Sequence, residues 1–181
     1  HNLCDMIIGV SNKPKDTQGL LRKLKENALK SIETVKDRVT DFNLYDEENI
    51  NTISHLDFLE DYLKPYFKAA VGNYKITMDA KKEFLNSNLN INKISELMNS
   101  HHNYLKDDLK ITTPEIDKMI DVSYENGAVG SKIVGSGGGG SIVSLSTNSN
   151  TSNKIVSELK SIGVKDAFIA RKGKGPTIYY E

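Results

Sequence analysis

The chain has one cysteine, Cys4, in 181 residues, so it has no internal disulfide framework. It has no tryptophan, and only 7% of its residues are aromatic. Lysine plus arginine and aspartate plus glutamate stand at 24 each, for a net charge of zero. That balance leaves no basic field to hold nucleic acid. The charges are interleaved along helical stretches, as on solvated faces. No apolar run reaches the length of a membrane span, and no signal-peptide pattern is present, so a cytoplasmic protein without a membrane partner is expected. The chain is long enough to bury a real core as one domain.

What it does have is glycine, concentrated in one place. Gly135-Ser136-Gly137-Gly138-Gly139-Gly140-Ser141 lies between the β-branched stretches Ser131–Val134 and Ile142–Leu145. Glycine reaches positive φ without steric cost and lets a backbone come close to something, often a phosphate cradled by bare N–H groups. Three readings compete. A flexible linker is the blandest, since GGGGS has linker composition. Gly135 to Gly140 also fits G-x-G-x-x-G, but that fingerprint must open a helix, and the alternation of Ile142-Val143-Ser144-Leu145-Ser146 predicts a strand. A phosphate loop ending in G-K-[ST] fails because Ser141 stands where the lysine belongs. The favoured reading is a strand–glycine–strand hairpin whose backbone meets a ligand or a neighbouring loop.

Along the chain, residues 3–10 read as a strand, and Asp16 as the cap of a long amphipathic helix running to about Arg38. Ile53, Leu56 and Leu59 or Glu60 mark a second, shorter helix. Pro65 opens a third, with Phe67, Val71, Tyr74, Met78 and Phe84 as candidate buried positions. Ile94, Leu97, Met98, His101 and Leu105 make a fourth. Thr112-Thr113-Pro114-Glu115 starts a fifth, with a capping box, and Asn126-Gly127 ends it. After the hairpin, a helix from Asn153 to Ile162 stops at Gly163. Strands are then expected at Ala167–Ala170 and Thr177–Tyr180, joined by the basic turn of Arg171, Lys172 and Lys174. The order indicates an α+β fold, a small, mostly antiparallel sheet with several helices packed on one face.

The run Leu105-Lys106-Asp107-Asp108-Leu109-Lys110-Ile111-Thr112-Thr113-Pro114-Glu115-Ile116-Asp117, then a helix, then Gly127-Ala128-Val129-Gly130-Ser131-Lys132-Ile133-Val134 and the glycines, closely resembles the carboxy-terminal domain of the GHMP small-molecule kinases. Met98-Asn99-Ser100-His101-His102 upstream is most similar to the galactokinase-like branch. The resemblance covers residues 61–145 well and the rest loosely. It implies a ferredoxin-like sheet and one domain over residues 1–181. It further implies transfer of the γ-phosphoryl of Mg-ATP to a small-molecule hydroxyl, the acceptor being a sugar or sugar phosphate. In that family ATP and Mg2+ are held mainly by an amino-terminal kinase domain with a P-x-G-x-x-S-S-S-type loop, so the resemblance implies that such a domain holds them here; no sequence of that type occurs in this chain. Gly135, Ser136, Gly137, Gly138, Gly139, Gly140 and Ser141 would line the nucleotide and substrate cleft. No catalytic residue or metal ligand is assigned within the chain. Ser141 departs from relatives that carry cysteine or a hydrophobic residue there.

Other candidates read more simply as structure. His101 and His102 project about 100° apart on a helix, so they cannot chelate one metal together; one is expected at the core edge and the other exposed. Asp107, Asp108, Asp117 and Asp121 read as solvated, and Asn150-Thr151-Ser152 as a polar loop rather than a glycosylation site. An α+β domain with no evident acid/base set also fits a non-catalytic ligand-binding or regulatory module.

Overall fold

The computed structural model describes residues 4–13, 18–46, 52–171 and 173. Asp16, Lys172, Lys174 and the strand expected at Thr177–Tyr180 lie outside the described residues, as does the Ile53 side chain. Among the described residues four strands, β1 (Asp5–Val10), β2 (Gly130–Val134), β3 (Ser141–Ser146) and β4 (Asp166–Ala170), form one sheet in the order β2-β3-β1-β4. Every neighbouring pair is antiparallel. With helices between β1 and β2 and between β3 and β4, this is the ferredoxin-like arrangement expected above.

The registers put Ile7, Ser144 and Ser131 in one row across the sheet, and Gly9, Ile142, Ile133 and Ala167 in the next. All of these are buried, and α5 (Pro114–Glu125) and α6 (Ser149–Ser161) cover that face. Ile116, Met119 and Ile120 of α5 and Ile155 and Leu159 of α6 complete the core. A polar pair is sealed into it: the Ser131 and Ser144 hydroxyls are hydrogen-bonded at 2.8 Å, which offsets the cost of burying them. Met6, Val134 and Phe168 on the opposite face are exposed.

The remaining helices are α1 (Gln18–Lys36), α2 (Thr52–His55) with a 3-10 turn at Leu56–Phe58, α3 (Lys64–Leu85) and α4 (Ile91–Asn103). Val35, Leu59, Leu63, Phe67 and Val71 form a second cluster among them. The expected second helix is thus only one α turn followed by 3-10, with Leu59 buried just beyond it. Phe84 is 63% exposed, near the end of α3, where the helix has run past the core.

Local chemistry explains the helix ends. The Thr113 hydroxyl accepts from the Ile116 N–H and Pro114 opens α5. Because the cap is Thr113, Glu115 falls one position short of the capping-box site, and it pairs instead with Lys13 at 3.5 Å. At the other end, Gly127 (φ 94°) and Ala128 donate to Tyr124 and Ser123, closing a Schellman turn. Helix α6 begins a turn earlier than expected because the Asn148 side chain caps it, accepting from Thr151 at 2.9 Å. Asn150-Thr151-Ser152 therefore lies in a helical first turn, not in a loop.

Candidate functional site

The hairpin between β2 and β3 closes on the pair Val134–Ser141, leaving Gly135 to Gly140 as its loop. Five of these six residues are glycines, and all five have positive φ: 83° at Gly135, 77° at Gly137, 69° at Gly138, 115° at Gly139 and 94° at Gly140. No other residue adopts such a path without strain, so the composition follows from the backbone.

The loop is tied down at two points. The Gly138 N–H donates to the Ile111 carbonyl at 2.8 Å. The Ser11 N–H donates to the Gly140 carbonyl at 2.7 Å, and the Gly140 N–H returns a bond to the Ser11 hydroxyl at 3.0 Å. These contacts and the strands on either side exclude the linker reading. The neighbouring loop that the glycines approach is the one carrying Ile111. Two of the amides available for a phosphate are thus already engaged inside the protein.

Ile111 is placed by an unusual helix ending. Helix α4 widens into a π turn at Tyr104–Asp108, where the Leu109 N–H reaches back to the Tyr104 carbonyl at 3.0 Å. Lys110 then takes φ 53°, and the Ile111 N–H bonds the Leu105 carbonyl at 3.0 Å. Such wide turns recur beside functional sites.

Among the described residues strand β2, which feeds the loop, is an edge strand, and its outward N–H groups are covered by side chains. The Ser131 N–H is shared between Asn99 Oδ1 (3.1 Å) and the Tyr124 hydroxyl (3.0 Å), and that hydroxyl donates to Asn99 Oδ1 at 2.6 Å. The Ile133 N–H donates to His102 Nδ1 at 3.4 Å. Capping an edge in this way removes a template for unwanted strand pairing.

Of the two histidines, His102 is buried and His101 half-buried, so neither is exposed as one of them was expected to be: both are packed between α4 and its neighbours. They do not share a ligand. Burial, with Lys132 and His102 adding positive charge, pulls the pKa of His101 down to about 4. Lys132 is half-buried beside them; its ammonium donates to the Ile133 carbonyl at 2.9 Å, and burial lowers its pKa. Asp117 is not solvated as expected. It is half-buried and faces Lys106 at 3.5 Å. Asp107 and Asp121 are exposed; Asp108 is half-buried, and desolvation raises its pKa. Arg171 is exposed. A cavity of about 470 Å³ lies between α3 and α4, bounded by Ile76, Ala80, Phe84, Met98 and His101 and not by the glycine loop.

His101 makes stability depend on pH. Its folded pKa lies below the ordinary 6.5, so the unfolded chain binds the proton more readily. Stability is complete above pH 6.5 and falls as the pH drops toward about 4. Discounted for partial exposure, the loss is on the order of 1–2 kcal/mol. Urea midpoints measured between pH 7 and 4 should fall less steeply in His101→Phe; an unchanged slope would refute the assignment.

Residues 81–165 match the family model of the GHMP kinases C terminal. The galactokinase of Lactococcus lactis subsp. lactis is 27% identical over 181 residues, covering 96% of this chain and 45% of the relative. The galactokinase of Bacillus subtilis is 39% identical over 57 residues, which is 31% of this chain and 15% of the relative. In structure the chain superposes on Lactococcus lactis galactokinase complexed with galactose with a TM-score of 0.80 at 23% identity, covering 97% of this chain and 47% of that one. Mevalonate kinase of L. major in complex with R-mevalonate gives a TM-score of 0.53 at 15% identity, covering 92% and 41%. The chain thus carries, over residues 81–165, a match to the carboxy-terminal domain of the GHMP kinases. It is similar to galactokinases, and spans less than half the length of the curated relatives it matches.

The shape of the glycine hairpin follows from its own residues, but what the loop touches does not. Asn99, Tyr124 and Ser11 were not singled out as partners of the hairpin. The signal that could have flagged them is the need of an edge strand for side chains to cover its amides.

Proposed function

We propose that this chain is the carboxy-terminal half of an ATP-dependent sugar kinase of the cytoplasm, with residues Gly135 to Ser141 lining the phosphoryl-transfer cleft. The observation that carries the reading is the tethered glycine loop: five left-handed glycines hold bare backbone in one fixed path against Ile111 and Ser11. The similarity to galactokinases supports a hydroxyl of a sugar or sugar phosphate as acceptor. Phosphoryl transfer depends chiefly on positioning and electrostatics, and a rigid wall without side chains suits a crowded acceptor and phosphate.

The residues described here do not themselves suit Mg-ATP. Among the described residues no three histidine, cysteine or carboxylate groups converge to hold a metal. The Gly138 and Gly140 amides are engaged internally. By the likeness to the GHMP kinases, ATP and Mg2+ fall mainly to an amino-terminal kinase domain, and the part of this chain is to shape the acceptor side of the cleft.

The test is a panel assay on the full-length gene product: ATP consumption with galactose, other hexoses, sugar phosphates, mevalonate and homoserine, with Gly138→Val beside wild type. Turnover on one acceptor, reduced on the order of 10²-fold in the variant, is expected from displacing a cleft wall. The 181-residue chain alone should show no turnover. Ligand binding by the isolated domain with no turnover on any acceptor would favour the non-catalytic module instead.

A further inference from the structure

We propose that His102 is the positioning residue of the glycine loop: as an acceptor at Nδ1 it holds the outward Ile133 N–H of β2, two residues before the loop begins. The chemistry is one-sided. A backbone N–H can only donate, so Nδ1 must carry no proton and the ring must be the neutral Nε2–H tautomer. A protonated ring has no acceptor and would turn a donor toward a donor inside a buried contact.

The other outward amide of β2 has a different arrangement. Ser131 is held by Asn99 and Tyr124, whose amide and phenol do not change protonation near neutral pH. The end of β2 next to the loop thus rests on the one cap that can titrate. Beyond Ile133 come Val134 and then Gly135, and the loop's further ties are to Ile111 and Ser11. Ile111 follows the same helix and π turn that carry His102, so one element anchors the loop on both sides.

The titratable and charged groups that act on the ring come from four elements: His101 on α4, Lys106 and Asp107 on the π turn, Asp117 on α5 and Lys132 on β2. Burial dominates and holds His102 below its ordinary pKa; Lys106 and Lys132 act in the same direction, and Asp117 and Asp107 oppose them. The ring is neutral at pH 7, and the contact is lost on acidification below the ordinary histidine range.

The consequence for turnover rests on the cleft reading above, but the positioning itself does not. It is tested by amide hydrogen exchange on this chain, expressed as protection factors, for wild type, His102→Leu and His102→Asn. Leucine removes the acceptor; asparagine offers a fixed one near the Nδ1 position. Expected in His102→Leu is a fall of about tenfold or more in protection at Ile133, Gly138 and Gly140, with Ser131 and the amides of α6 unchanged. His102→Asn should keep that protection and lose its dependence on pH. If His102→Leu does not fold, the wild-type profile decides: as the pH is lowered from 7 to below the ordinary histidine range, these three amides should lose protection before Ser131 does. Unchanged protection in His102→Leu, a uniform fall across the domain, or a wild-type profile in which Ser131 and Ile133 move together would each overturn the proposal. A failed acceptor panel would leave these results untouched, so the two readings fail separately.

Discussion

Gly137→Ala is expected to destabilise the domain by about 2–5 kcal/mol, more than a glycine-to-alanine change elsewhere in the chain with equally positive φ. Two costs combine. At φ 77° an alanine sits in the left-handed region, at about 1–2 kcal/mol. Its Cβ would also lie 2.7 Å from both the Cβ and the carbonyl oxygen of Ile111. The second of these is backbone, fixed by the π turn and by its bond to Gly138, so the crowding adds about 1–3 kcal/mol. Gly163→Ala is the control. Its φ is 82°, but a Cβ there meets nothing within 4 Å, so it carries the conformational cost alone. Urea unfolding of both variants separates the two. A Gly137→Ala no less stable than Gly163→Ala would mean that the loop is not packed on Ile111. The same displacement of Ile111 should shift the amide resonances of Gly138 and Gly140, which Gly163→Ala should leave in place.

What can be read from the sequence alone is what has a local cause. Helix α5 was legible at both ends because Thr113, Pro114 and Gly127 act within a few residues of where they stand. Strands β2 and β3 were legible from alternation, and the glycines between them from the need for positive φ. What the glycines approach was not legible, since Ser11 lies 129 residues from Gly140 and nothing in either segment encodes the pairing. The histidines show the same limit. Helical periodicity placed His101 on the apolar stripe with Leu97 and Met98, and there it lines the α3–α4 cavity. Yet His102 is the more buried, because the edge of β2 packs against the adjoining side of α4. Asp117 was misjudged for a related reason: its partner Lys106 comes from the π turn, a local geometry that periodicity does not announce. Tertiary placement, not propensity, decided each of these.

Phe67→Ala tests whether the two apolar clusters are one folding unit. Phe67 is fully buried in the helical cluster, with Phe42 and His55 as ring neighbours at 5.9 and 6.2 Å. Truncating it removes a large side chain from a packed site and leaves a cavity, at about 3–5 kcal/mol. The sheet cluster contains no residue of α3, so the immediate damage is confined to the helical one. Helix α1, however, belongs to both: Leu20 and Leu24 pack against the sheet cluster, and Ile32 and Val35 against the helical one. A nineteen-residue helix that bridges two cores cannot lose one end's packing without weakening the other's. The expected result is therefore a single urea transition at a lower midpoint, with circular dichroism and the Gly138 amide reporting the same curve. Two separated transitions, the sheet and its glycine loop surviving while the helices melt, would show that the clusters unfold independently. In that case the loop would owe its rigidity to the sheet, α4 and α5 alone, and substitutions in α1 or α3 should leave the cleft wall intact.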